Sequence, residues 1–228
     1  MELQLETFNV NIVFDNNKPL EGFLSSFGFS VLIYNSLSEN YLLFDTGSDG
    51  AILLHNLEQL GVDASEIRKV VISHNHIEHS GGLKDLYEKN NNIEIYVPIE
   101  VLNIFRKKYS KSILYGVSDW KEIDENIYLT GQLGTYLKEQ ALFLKTLNNE
   151  LIVMVGCCHP GLDEILSLGR QLAKIRAIIG GFHNTRNFSC LEGIKVIGAC
   201  HCTHHVDLIK QRFPEEFREI YVGDSLTF

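Results

Sequence analysis

Three observations in this 228-residue chain predict an α/β fold of two mixed sheets packed together with helices outside. Early apolar strands come as hairpins, strand and helix then alternate, and a second hairpin leads into further alternation. Apolar strands end repeatedly in a polar residue able to do chemistry: Asp45, His74, His159, His201 and, as a fifth, His183. No repeat, low-complexity tract or linker divides the chain. Residues 1–228 therefore read as one domain, long enough to bury a full core, with an irregular insert around 109–140.

The elements follow in order. Phe8–Ile12 alternates and reads as a half-buried strand. Phe29–Tyr34 and Tyr41–Phe44 read as a strand pair around a turn at Ser36–Asn40. Ile52, Leu53, Leu57 and Leu60 share a helix face that Gly61 closes. Val70–Ser73 is the next strand and Leu83–Lys89 the next helix, with Gly81-Gly82 letting the chain turn tightly between them. Ile93–Val97 is a strand, and Pro98 opens a helix to about Lys107. Tyr109–Gln140 is polar, glycine-containing and only partly stranded. Ala141–Leu147 and Leu151–Val155 form a hairpin across Asn148-Asn149. A helix over Leu162–Ala173, strands at Arg176–Ile179 and Ile194–Ile197, a helix over His204–Arg212 and a strand at Glu219–Val222 complete the chain.

Composition narrows the function classes. The formal charge is -9, and basic pairs such as Lys107-Lys108 stand alone, so no nucleic-acid partner is expected. No apolar run approaches a membrane span. The stretch Met1–Glu6 is acidic and lacks the basic and apolar regions of a signal peptide. The cysteine count of five is odd, which suits reduced thiols in the cytoplasm better than a disulfide framework.

Chemistry concentrates in His74-Asn75-His76-Ile77-Glu78-His79, directly after Val70-Val71-Ile72. Three imidazoles and a carboxylate within six positions suit a divalent metal: zinc first, with iron, manganese and nickel as alternatives. The end of a buried strand is where open α/β sheets place their sites. The alternative is a set of satisfied polar side chains. It fits His55, His204 and His205 as surface residues, but not three histidines packed so closely. Cys157 and Cys158 precede His159, while Cys200 and Cys202 straddle His201. An extended segment would point both Cys200 and Cys202 away from His201, so buried reduced thiols are the expectation. Cys190 carries no signal.

These residues carry a resemblance. The run His74-Asn75-His76-Ile77-Glu78-His79, preceded by Phe44-Asp45-Thr46-Gly47, resembles the hallmark of metallo-β-lactamase-fold proteins. Gly156-Cys157-Cys158-His159-Pro160-Gly161, Gly180-Gly181-Phe182-His183, His201-Cys202-Thr203 and Glu139-Gln140-Ala141-Leu142 are similar to a dihydropterin-related subgroup, the ribofuranosylaminobenzene 5'-phosphate synthase-like metal-dependent hydrolases. The resemblance runs from about Gly28 to Gly223. It implies a four-layer αββα sandwich with one or two divalent ions at the sheet edges. His74, His76 and His159 would hold the first ion, and Glu78, His79 and His201 the second. Asp45 would orient a histidine from behind, and His183 is a further candidate for either role.

The chain departs from the pattern at three points. Glu78 stands where the family has Asp, pushing the carboxylate about 1.5 Å farther from the backbone; it is a ligand or a catalytic base. No bridging Asp follows the hairpin, and Asp224 comes too late. His204 replaces a Gly. Three readings follow. The first is a hydrolase of a phosphoester or related small molecule, working through an activated water, with Lys138 or Arg186 to meet an anion. The second is a dihydropterin-type condensing synthase. The third is a non-catalytic or redox metal-binding protein on the same scaffold. Oligomeric state is left open.

Overall fold

The structure, a computed structural model, describes residues 6–17 and 19–228. The acidic stretch Met1–Leu5 lies outside them. Strands β1 (Phe8–Phe14), β2 (Ser30–Asn35) and β3 (Asn40–Phe44) form an antiparallel meander. β4 (Ile67–Val71), β5 (Glu94–Pro98) and β6 (Ile113–Val117) extend it in parallel. With β13 (Ser225–Thr227) pairing β1, the first sheet runs β13-β1-β2-β3-β4-β5-β6. The second sheet runs β12-β11-β10-β9-β8-β7. It contains β7 (Lys121–Asp124), β8 (Ile127–Leu129), β9 (Leu142–Lys145), β10 (Glu150–Val155), β11 (Lys174–Gly181) and β12 (Val196–Cys200).

Three apolar layers make this an αββα sandwich. Inward-facing residues such as Val10, Val31, Phe44, Leu142, Ile152 and Ile179 pack the two sheets together. The outer face of the first sheet is covered by α1 (Gly50–Gln59), α3 (Leu83–Lys89) and α4 (Leu102–Lys108) through Leu53, Leu57, Leu86 and Phe105. α5 (Leu162–Leu172) and α6 (Val206–Arg212) cover the second through Ile165, Leu166 and Ile209. Each sheet therefore has both faces buried. This explains why the parallel strands read as unbroken apolar runs rather than alternating ones. Asp49 caps α1, its carboxylate accepting from the Ala51 and Ile52 amides, which starts the helix two residues before its first apolar position.

Some expectations need correcting. The stretch 109–140 is not a mere insert: it supplies β6 to one sheet and β7 and β8 to the other. These strands are short, charged or broken by Gly116, so alternation did not reveal them. Glu219–Val222 is not a strand. Ile220 and Val222 are fully buried as plugs. Gly223, at φ 99°, then turns the chain so that Ser225–Thr227 pairs with β1. Gly81 and Gly82 adopt ordinary helical angles. Their requirement is space, since a Cβ at Gly82 would strike the Thr46 carbonyl and one at Gly81 the Ser48 carbonyl. The segment between β4 and α3 also holds a one-turn helix, α2 (Ile77–Ser80).

Candidate metal centre

The loops that follow β4, β10, β11 and β12 meet at one edge of the sandwich. They line a cleft of about 380 Å³ that includes His76, Glu78, His159, His183 and His201. α2 arranges the first group. His76 sits at its N-terminus and His79 in its single turn. His74 Nε2 lies 3.1 Å from His76 Nδ1. The donor nitrogens of His74, His76 and His159 all fall within 4.8 Å of one another.

Buried carboxylates hold these loops. Asp45 sits in the left-handed region at φ 60° and is fully buried. One oxygen accepts from the Ser73 amide at 2.6 Å. The other accepts from Ser73 Oγ and from His79 Nδ1, each at 2.7 Å. That directs His79 Nε2 away from Asp45, to within 3.2 Å of Cys157 Sγ. Glu139 does the same for the loop after β10. Its Oε1 accepts from the Cys157 and Cys158 amides at 2.8 and 3.0 Å, and its Oε2 from the His159 amide at 2.9 Å. Gly156 leaves the room for this, because a Cβ there would run into Ser73 Oγ and crowd Glu139. Asp15 accepts from the His201 amide at 3.0 Å. Asn16 Oδ1 lies 3.1 Å from His201 Nδ1 and takes the Gly28 amide at 2.9 Å.

The electrostatics suit a cation. Burial, reinforced by neighbouring imidazoles, holds His74 far below its ordinary range. Burial likewise brings His79 and His201 to about 3 and His159 to about 4. The rings are therefore neutral, the form that ligates metal. Burial pushes the Asp45 carboxyl well above the usual range, against its Ser73 donors, and a nearby cation is what would hold it ionised. Two buried ring nitrogens, His159 Nε2 and His201 Nε2, have no hydrogen-bond partner among the described residues. An unpaired buried polar atom is costly, and an ion beside each would satisfy it. The residues fit a divalent metal.

Not every candidate joins this arrangement. Glu78 Oε1 lies 3.5 Å from His76 Nδ1 and belongs to none of the close donor groups among the described residues. His79 and His201 are close, with ring centroids 4.8 Å apart, but the third side chain near them is Cys157 rather than Glu78. His183 is exposed at the rim, its ring 5.1 Å from that of His159. His204 stacks 5.4 Å from His183 and also lines the cleft, so it is not simple surface. His205 bonds Asn184 and His55 the Gly22 carbonyl. Lys138 donates to the Gly134 carbonyl and is not part of the cleft lining.

The thiols also differ from expectation. His201 adopts φ 50°, so the segment is not extended there. Cys202 turns back to place its sulfur 3.2 Å from that of Cys157, and both lie within 4.8 Å of a His201 nitrogen. Sequence reasoning also missed Asp15, Asn16 and the role of Glu139. Asp15 carried a readable signal, an acid directly after the apolar strand ending in Phe14, the same signature as Asp45 after Phe44. Glu139 carried none beyond its place in the Glu139-Gln140-Ala141-Leu142 motif.

Comparison with known proteins agrees with this architecture. Residues 26–153 match the metallo-beta-lactamase superfamily family model. The chain is 24% identical to the 7,8-dihydropterin-6-methyl-4-(beta-D-ribofuranosyl)-aminobenzene-5'-phosphate synthase of Methanocaldococcus jannaschii, over 90% of this chain and 91% of that one. Among solved structures it is similar to the metallo-beta-lactamase fold protein YhfI of Bacillus subtilis, with a TM-score of 0.69 and 16% identity over 97% of this chain and 99% of that one. It is also similar to the short form of human tRNase Z, with a TM-score of 0.60 and 15% identity over 96% and 98% of the two chains.

Proposed function

The chain belongs to the metallo-beta-lactamase superfamily, and from that premise we propose that it is a metal-dependent hydrolase of a phosphoester or related small molecule. The observation that carries this reading is the group His74, His76 and His159, whose nitrogens lie within 4.8 Å of one another beside a partnerless His159 Nε2. These three would hold the first divalent ion, zinc by preference, with iron, manganese or nickel as alternatives. A bound ion would supply the Lewis acidity that polarises a substrate oxygen and brings the pKa of water near neutrality.

Asp45 fixes the His79 tautomer through its 2.7 Å contact to Nδ1 and so presents Nε2 to the cleft. Glu78 is our candidate catalytic residue. It lines the cleft and lies 3.5 Å from His76 Nδ1, placed to accept a proton and pass it to solvent. His183 and His204, at the rim, offer ring nitrogens to substrate oxygens. Among the described residues no helix is long and apolar enough to cross a membrane, and all the cysteines are free. The free thiols support our placing the protein in the cytoplasm.

The test is elemental analysis of protein purified without added metal, paired with turnover of a chromogenic phosphodiester by wild type and His76→Ala. We expect bound metal and turnover in the wild type, with both reduced by the substitution. No metal after reconstitution with zinc or manganese would sink the reading. A second reading has its own support: the 24% identity to the methanogen synthase spans nearly all of both chains. Metal binding without hydrolysis, together with a fluorescent pterin co-purifying, would favour a condensing synthase instead.

A further inference from the structure

We infer that the second cation position of this cleft is a thiolate–imidazole site, held by Cys157, Cys202 and His201, which takes zinc or a similar borderline ion and rejects manganese and magnesium. The inference rests on the metal-dependent reading of the cleft but concerns a different donor set. The relevant atoms come from two strand ends, after β10 and after β12, and all lie within 4.8 Å of one another.

Five features argue for a built site. The sulfurs of Cys157 and Cys202 approach to 3.2 Å although 45 residues separate them. Both thiols are free. The chain bends to bring them together, since His201 occupies the left-handed region at φ 50°. Non-glycine residues adopt that region at a cost and do so mostly where the surroundings impose it. Space is reserved as well: the Cys202 sulfur occupies the volume that any side chain at position 181 would fill, and the chain has Gly181 there. Finally, His201 Nε2 is buried without a partner among the described residues, while Asn16 occupies the ring's other nitrogen. The nitrogen left over is the one available for an ion.

The donor chemistry then sets the ion. The carboxylate that could have hardened this position, Glu78, lies beside His76 and joins no donor group here. What remains is two sulfurs and an imidazole, with His79 Nε2 3.2 Å from the Cys157 sulfur as the adjoining ligand. Thiolates select zinc and iron and are poor ligands for manganese and magnesium, which favour oxygen. The two positions should therefore differ in preference: the three-histidine group accepts many divalent ions, and the sulfur site accepts few.

The experiment is a cobalt titration of chelator-stripped protein, kept under a phosphine reductant and followed by absorbance and by ion count. A parallel titration uses manganese. Wild type should bind one more cobalt than manganese and should develop the intense near-ultraviolet band of sulfur-to-cobalt charge transfer. Cys202→Ser should weaken that band about two-fold, and Cys157→Ser with Cys202→Ser should abolish it and remove one cobalt. His76→Ala and Cys190→Ser should keep the band. Cobalt bound by wild type without the band would overturn this inference and leave the three-histidine site standing. No cobalt bound at all would overturn both. Because the wild-type spectrum alone can refute the inference, a cysteine variant that fails to fold does not blunt the test.

Discussion

The cleft is built in two different ways. His74, His76 and His79 arrive on one contiguous segment, with a single turn of helix spacing the last two. Cys157, His159, His201 and Cys202 arrive two at a time on two separate strand ends, after β10 and β12, where Cys158 and His201 sit in the left-handed region at φ 58° and 50°. The contiguous half takes its order from local geometry and one carboxylate, Asp45. The dispersed half has no local geometry to rely on, and each loop is tied to a buried carboxylate brought from elsewhere: Glu139 for residues 157–159 and Asp15 for His201. Each of these two dispersed loops thus has its own buried acid.

The sharpest way to break this comparison is His159→Ala. It deletes the only dispersed ligand from the group with His74 and His76. If both halves are needed, the ion at that position is lost on dialysis and any turnover with it, as elemental analysis would read. An ion that survives dialysis would mean the contiguous segment suffices alone.

Glu139 provides the next largest effect. Burial raises its carboxyl from the ordinary 4.5 to about 7, even though three amides donate to it. In metal-free protein the folded chain keeps a proton that the unfolded chain releases across that window. Its contribution is therefore full below about pH 4.5 and is lost as pH rises to about 7, a fall of about 3 kcal/mol. The neutral buried histidines impose the opposite slope, stability rising toward pH 6.5, so urea denaturation at a series of pH values reads the Glu139 contribution as the difference between wild type and Glu139→Gln. Glu139→Gln should shift the slope over that window toward a steeper rise while costing about 1–3 kcal/mol, since one acceptor oxygen disappears. An unchanged slope in the variant would show that another group controls it.

Asp45→Asn tests the contiguous half. The amide can still accept from Ser73, but it offers no charge to hold His79 Nδ1–H. Metal affinity should fall about 10–100-fold, measured by competition with a chromogenic chelator. The fold should survive, because α2 and the Gly81-Gly82 packing against the Ser48 and Thr46 carbonyls do not depend on that charge. An affinity within two-fold of wild type would assign Asp45 a purely structural role.

Much of this was legible in the sequence, and the limits have physical reasons. His74–His79 announces itself because its ligands are neighbours in the chain. Asp45, His159 and His201 are legible because each follows an apolar strand, and strand ends share an edge of the sheet. Cys202 is not legible because alternation holds only along an extended segment, and His201, at φ 50°, breaks it. Glu139 sits in the polar connection between β8 and β9 and is buried where it meets the loop after β10. Such burial is a tertiary outcome with no local periodicity to betray it.

Asn16 is the case least visible in sequence and gives the smallest predicted effect. In the fold, Asn16 Nδ2 donates to the His201 carbonyl at 3.0 Å, while its Oδ1 accepts from the Gly28 amide and faces His201 Nδ1 at 3.1 Å. One side chain therefore fixes both the backbone and the ring tautomer of His201, without touching the three-histidine group. Asn16→Ala should leave His201 able to rotate, because the Asp15 bond holds only its amide. Affinity for the second ion should drop about ten-fold, at the weak end of what outer partners of a ligating histidine contribute. Affinity for the first should stay unchanged. Isothermal titration with cobalt resolves the two steps. Equal weakening of both would mean that the two halves of the cleft are one mechanical unit, and the separate anchoring of each loop would have to be given up.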